Sequence, residues 1–279
     1  MTGSVERIRA FALTLAVLGA ACTPQAGEAP VRMPAPASAL AIAPDFAGTI
    51  WAATGGRVVR SRDGGHTWRR VDGRGGATGV AFLSTHVVAV GPRGVQVGGF
   101  GTATLGLPRP VAPKLRVVAS PYYRTSRLYG VDTSGHLWVS VRNAHKWARL
   151  HAAGLPDGAA VAVAAIRNDV HDPDVIYVAC GAAGLWRSGD FGATFHRMPG
   201  VADVTAVAAT TDDQRLLLVA TPAGIELSRN SGKTFRTTAT VAGVRAVAFD
   251  LRNWRLAYAA LANGQLLRSD DGGGAWDGA

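Results

Sequence analysis

Cysteine, lysine, glutamate and long apolar runs are all scarce in this chain of 279 residues. Cys22 and Cys180 are the only cysteines; Cys180 alone belongs to the folded region and sits in the apolar run Val175 to Cys180, as a buried, inert thiol would. Lysine supplies three of the 29 basic residues (Lys114, Lys146, Lys233), and the arginines are spread along the chain without a dense block. The formal charge of +10 therefore reads as surface cations, and no nucleic-acid partner is expected. Glu226 is the only glutamate beyond residue 38, no G-x-S-x-G is present, and no second carboxylate recurs at an EF-hand spacing. A signposted serine nucleophile, a metal and a cofactor are thus not predicted. The longest apolar run, Ala10 to Ala21, is interrupted by Thr14. At about 1.5 Å per residue it is too short for a hydrocarbon core of roughly 30 Å.

That run follows Arg7 and Arg9 and reads as a signal peptide over residues 1–22. Gly19, Ala20 and Ala21 before Cys22 resemble a bacterial lipobox, which implies cleavage and lipid attachment at Cys22. Gly19 stands where that motif usually has Leu, and ordinary signal-peptidase cleavage is the alternative. Residues 23–38 are rich in Pro and Ala and read as a tether, so export to the cell envelope and a membrane anchor through Cys22 are expected.

What the chain has in quantity is glycine, 35 residues, together with 48% apolar content, a composition that suits an all-β repeat protein. One octapeptide organises it. Ser61 to Trp68 reads S-R-D-G-G-H-T-W: Asp63 can accept hydrogen bonds from the turn that follows, Gly64 and Gly65 tolerate positive φ, and Thr67 and Trp68 restart a strand. Copies recur at Ser188 to Phe195 (S-G-D-F-G-A-T-F), Ser228 to Phe235 (S-R-N-S-G-K-T-F) and Ser269 to Trp276 (S-D-D-G-G-G-A-W). The positions carrying the motif are Ser61, Asp63, Gly65, Thr67 and Trp68; Ser188, Asp190, Gly192, Thr194 and Phe195; Ser228, Asn230, Gly232, Thr234 and Phe235; and Ser269, Asp271, Gly273 and Trp276. A weaker copy spans Ser140 to Trp147, and a worn one is expected near position 100, where Gly98 to Leu105 keeps only the Thr104-plus-apolar ending.

A period near 40 residues with four strand-like segments per unit is the signature of a propeller blade. An all-β, six-bladed β-propeller of four-stranded blades is predicted over residues 39–279, with blades near 39–72, 79–105, 115–150, 161–198, 204–238 and 244–279. Too few residues follow Trp276 to build an outer strand, so ring closure is expected to borrow one near Val31 to Met33 or to leave the last blade incomplete.

The octapeptide closely resembles the Asp-box, or BNR repeat, of sialidase-like propellers, where it caps the hairpin between the third and fourth strands of a blade. That resemblance puts the hairpins on one face, and ligands on the other, where second-to-third connections and inter-blade links lie. Arg57, Arg74, Arg93, Arg109 and Lys114 all fall in such loops and form the candidate ligand-binding set, suited to carboxylate or phosphate. Sialidases are expected to carry an R-I-P motif and a Tyr–Glu pair; no R-I-P occurs here. The aspartates on the expected ligand face are Asp72, Asp132, Asp157 and Asp203, on different blades, with no sign of a catalytic pair. The stretch Asn168 to Asp174 groups His171 with three aspartates but reads first as a turn. The regular repeats are also similar to photosystem II assembly factors, which bind a partner protein. A monomeric, non-catalytic binding or assembly module for an envelope protein or anionic glycan is the reading preferred, with an exo-sialidase-like glycoside hydrolase as the alternative.

Overall fold

The computed structural model describes residues 31–277 except 44–47, 72, 75, 84, 100, 102–103, 122–125, 142–143, 145, 168, 170, 212 and 214. Cys22 and the leader, Asp72, Arg142 and His145 therefore lie outside the described residues. Six antiparallel sheets form a ring, a six-bladed β-propeller. Blade one runs Ala37–Ile42, Ile50–Thr54, Arg57–Ser61 and Arg69–Val71 from the axis outward. The innermost strands of the others are Gly79–Leu83, Leu115–Ala119, Ala162–Ile166, Ala206–Ala209 and Val244–Phe249.

The second strands of the blades read as short, mostly apolar runs because both of their faces are covered. Ile50 and Ala52 pack toward blade six while Trp51 and Ala53 pack toward blade two. Six clusters of buried apolar residues result, one at each junction between neighbouring blades, including the junction of blade six with blade one.

Four blades have four named strands; blades two and six have three. In blade six the outer position is split. Leu266 donates its N–H to Val31 O (2.9 Å), Met33 donates to Gly264 O (2.8 Å), and Asp277 bridges Arg268 from the other end of the chain. The borrowed strand near Val31 to Met33 thus closes the ring. Residues 31–38, read above as the end of a tether, belong to the folded unit: Met33 is buried and the first strand opens at Ala37, before the expected start at residue 39. An outer strand needs ladder bonds on one edge only, so Pro34 and Pro36 nearby are tolerated.

The four well-kept octapeptides fold alike. Ser61 Oγ donates to Asp63 Oδ1 (2.7 Å) and accepts the Gly65 N–H (2.8 Å), while Asp63 accepts from the Thr67 N–H (2.9 Å) and hydroxyl (2.5 Å). Ser188, Asp190, Gly192 and Thr194 repeat the pattern, and Ser269, Asp271 and Gly273 keep it apart from the threonine hydroxyl, Asp271 accepting the Ala275 N–H (2.9 Å). In blade five Asn230 replaces the carboxylate: its Oδ1 accepts the Thr234 N–H (2.9 Å) and its Nδ2 donates to the Thr234 hydroxyl (2.8 Å). The hydrogen bonds from Thr67 hold the Asp63 carboxyl down at about 2, and those from Thr194 do the same for Asp190, at about 2.

Candidate functional site

Each blade turns its loops to two faces, and the contacts between loops separate them. On one face the octapeptide turns touch the first-to-second connections, as in Gly64 N–H to Gly48 O (2.9 Å) and Ser231 N–H to Arg215 O (2.9 Å). On the other, the second-to-third turns touch the inter-blade links, as in Gly181 with Val204 and Ala160 N–H to Gly135 O (3.1 Å).

The innermost strands surround an axial channel. Leu40, Val80, Val118, Val163, Val207 and Val247, one from each blade, line both of its chambers and so form an apolar collar. On the octapeptide side lies a chamber of about 120 Å³, lined by apolar residues apart from Ser120. Above the collar, on the link side, is a vestibule of about 510 Å³. Ser38, Thr78 and Thr205 bring hydroxyls to it, and Arg116 and Arg245 bring guanidinium groups.

Arg116 is half-buried, its Nε donating to Asp132 O (3.2 Å) and its Nη2 to Ala160 O (2.9 Å). Burial lowers its pKa and the Asp132 carboxylate partly offsets that. Two backbone carbonyls thus fix the fork at the wall. Arg245 is exposed. Neither arginine was picked out from sequence. The available signal is a lone cation in second place in an otherwise apolar inner strand, L-R-V-V-A and V-R-A-V-A-F.

The five cations named from sequence separate into groups. Arg57, Arg74 and Arg93 are exposed on adjacent turns of blades one and two: Arg93 Nη1 donates to Arg74 O (3.0 Å). Lys114 is exposed on the next link, where its carbonyl accepts the Thr133 N–H (3.0 Å). Arg109 is set apart, paired with Val95 in the outer position of blade two, where it lines a pocket on the blade's flank.

Two of the aspartates expected on this face are held by other partners. Asp132 is buried and accepts from the backbone N–H groups of Ser134 (2.8 Å) and His136 (2.9 Å) and from Trp138 Nε1 (2.8 Å). Burial pulls its pKa up, but those bonds outweigh it and the net shift is downward. Asp157 pairs with Arg149 (2.6 Å), which lowers its pKa, and Asp203 is exposed on a link at φ 53°. Among the described residues that line the vestibule, none is Asp or Glu.

On the octapeptide face, fully buried Asp174 receives the Tyr129 hydroxyl (2.6 Å) and the guanidinium groups of Arg167 (2.5 Å) and Arg127 (3.4 Å). Burial, then this carboxylate, raises the Tyr129 pKa. The cluster ties blade three to blade four. Asp169 caps its own turn through the His171 N–H (3.1 Å), and among the described residues no group of three ligating side chains could hold a metal ion. Cys180 is a buried free thiol whose pKa is pushed up to about 12 by burial, so it stays protonated at neutral pH.

No family model matches the chain, and no curated protein does. Solved structures resemble it in fold. A GH74 enzyme of Niastella koreensis is 19% identical over 84% of this chain and 36% of its own, with a TM-score of 0.55. PorZ, an essential bacterial surface component of the type-IX secretion system of Porphyromonas gingivalis, is 15% identical over 83% of this chain and 30% of its own, TM-score 0.55. The chain thus spans about a third of each of those two proteins. YCF48 bound to D1 peptide is 16% identical over 88% of this chain and 82% of its own, again at TM-score 0.55. What these likenesses share with this chain is the propeller itself.

Proposed function

We propose that the protein is an exported, non-catalytic propeller of the Asp-box class that binds, or helps to assemble, an acidic protein or anionic glycan partner of the cell envelope through its link face. The observation that carries this reading is the vestibule: two arginines and three hydroxyls around the axis, with no Asp or Glu among its described lining residues. Glycoside hydrolysis by two carboxylates requires them on either side of one bond, about 5 to 9.5 Å apart. Arg57, Arg74, Arg93 and Lys114 extend the positive surface outward, where planar guanidinium forks suit carboxylate, sulfate or phosphate groups. Support from the fold is general: YCF48 was solved with a peptide and PorZ is a surface component of a secretion system. The GH74 likeness keeps hydrolysis in the central cleft as the competing reading.

The deciding experiment is a panel of fluorogenic glycosides and soluble glycans incubated with the purified protein. No turnover is expected, together with salt-sensitive binding of acidic polymers such as polyglutamate or polygalacturonate, weakened by charge reversal at Arg245. Turnover abolished by one Asp substitution on the link face would establish the hydrolase instead. Export with lipid attachment at Cys22 is tested by metabolic palmitate labelling of the wild type and Cys22→Ala, and equal labelling of the two rejects the anchor.

A further inference from the structure

The innermost strands share an irregularity near their link-face ends. In blades one, three and six the pairing with the second strand skips a residue, Ser38, Arg116 and Arg245 in turn. In blades two, four and five the matching residues, Thr78, Val161 and Thr205, donate their N–H groups to the carbonyls of Val90, Ala179 and Ala220, each of which stands opposite the residue that follows. A bulge re-aims the side chain of its extra residue. Here all six line the vestibule, in the order Ser, Thr, Arg, Val, Thr, Arg around the axis, and the residues of the apolar collar come two positions later in every strand.

Blades three and six stand opposite each other in the ring, so the two guanidinium groups enter one cavity from opposite walls. Arg245 is exposed and forms no ion pair among the described residues. Arg116 uses Nε and Nη2 on the carbonyls of Asp132 and Ala160, which leaves Nη1 to donate to a ligand. The carboxylate that offsets part of its charge, Asp132, is spent on its own turn and on Trp138. The hydroxyls set between the cations are acceptors. Ser38 Oγ donates to Thr78 O (2.7 Å), Thr78 Oγ1 to Val90 O (3.4 Å) and Thr205 Oγ1 to Ala220 O (3.3 Å), so their hydrogens are committed and their lone pairs are left. At about 510 Å³ the vestibule falls within the ~300–1,000 Å³ typical of small-molecule sites. Its complement is a short chain with an anion at each end and hydrogen-bond donors between them.

We infer that the vestibule binds one short-chain polyhydroxy dicarboxylate, of the aldaric acid class, across the axis, with one carboxylate at Arg116, the other at Arg245, and hydroxyls donating to Ser38, Thr78 and Thr205. This rests on the link face being an anion-binding surface, as proposed for the acidic partner, and assigns its centre a single ligand geometry. A monocarboxylate leaves one guanidinium unmet, and a dicarboxylate without hydroxyls leaves the acceptors unmet.

The test is calorimetric titration of the full chain at low ionic strength with glucarate, with gluconate, which lacks one carboxylate of the same carbon chain, and with adipate, which lacks the hydroxyls. Saturable one-to-one binding of glucarate is expected, about tenfold or more tighter than gluconate, the step that one charge-assisted hydrogen bond supplies. Arg245→Gln changes an exposed side chain and should bring glucarate down to the level of gluconate, while gluconate, which needs only one cation, changes little. Thr205→Val should weaken glucarate and spare adipate. Competition with polygalacturonate separates this inference from the broader proposal: glucarate binding without any polymer binding upholds the ligand and rejects the polymeric partner, whereas polymer binding without glucarate binding does the reverse. The inference is overturned by absent or non-saturable glucarate binding, by equal affinity for gluconate, or by wild-type glucarate affinity in Arg245→Gln.

Discussion

The arc formed by blades four, five, six and one differs from the arc of blades two and three in how neighbouring blades are sealed. In the first arc a serine hydroxyl organises each hairpin, and the glycine at its fifth position lets an apolar side chain of the adjoining blade reach the backbone. In the second arc, Ser140 Oγ is buried without a hydrogen-bond partner among the described residues, Ala144 takes the glycine's place, and a cavity stands at the seam. The octapeptide therefore does two jobs. It clips its own hairpin, and it presents a surface without a β-carbon to the neighbour, which is why a pocket stands between blades where the glycine is replaced.

The largest expected effect exchanges the two residue types. Gly65→Ala adds a β-carbon at φ 104°, 2.5 Å from Leu266 Cδ2. Left-handed strain of about 1–2 kcal/mol and overpacking of about 1–3 kcal/mol together predict a loss near 3 kcal/mol in urea unfolding. Ala144→Gly relieves the same strain where nothing is crowded, and its stability should stay within about 1 kcal/mol of wild type, since the gain in the fold is offset by a freer unfolded chain. Equal losses from both would erase the distinction between the arcs.

The fold was legible in the sequence because the repeat wrote the same physics several times. Asp63, Asp190 and Asn230 share an acceptor role, and the second strands appear as short apolar runs since both blade faces are buried. Even the closing strand was foreshadowed by the shortage of residues after Trp276. The candidate sites were less legible. Arg116 and Arg245 reach one vestibule from blades three and six, about 130 residues apart in the chain, and no local pattern records that convergence. Arg109 pairs with Val95 in the outer position of blade two, a placement visible only once strand pairing is known. Prolines at 34 and 36 disguised the start of the ring, because a composition that argues against a central strand says little about an outer one.

A smaller effect separates the arcs through their serines. Ser188→Ala removes a hydroxyl that donates to Asp190 (2.7 Å) and accepts the Gly192 N–H (2.9 Å), leaving a buried donor unmet. A loss of about 1–2 kcal/mol is expected. Ser140→Ala deletes a buried hydroxyl with no described partner and should be neutral or stabilising by up to about 1 kcal/mol. Paired urea midpoints decide the matter, and a costly Ser140→Ala would mean that the weak hairpin is organised like the others.

The smallest effect lies within the well-kept arc and depends on pH. Asp63 and Asp190 fall from 3.8 to about 2 on folding because Thr67 and Thr194 donate to their charged forms. A depressed folded pKa means that the unfolded chain binds protons first, so the contribution is complete above pH ~4 and disappears as pH falls toward ~2. Blade five lacks this dependence, since the Asn230 amide makes the equivalent bonds uncharged. Replacing Asp63 and Asp190 together with Asn should flatten the acid limb of the stability curve: the variant and wild type differ most at neutral pH and converge near pH 2. Hydrogen exchange at the Thr67, Thr194 and Thr234 amides locates the effect, with the first two losing protection between pH 4 and 2 while the third holds. If all three amides lose protection together, the acid transition is global and the carboxylate hairpins are not its origin.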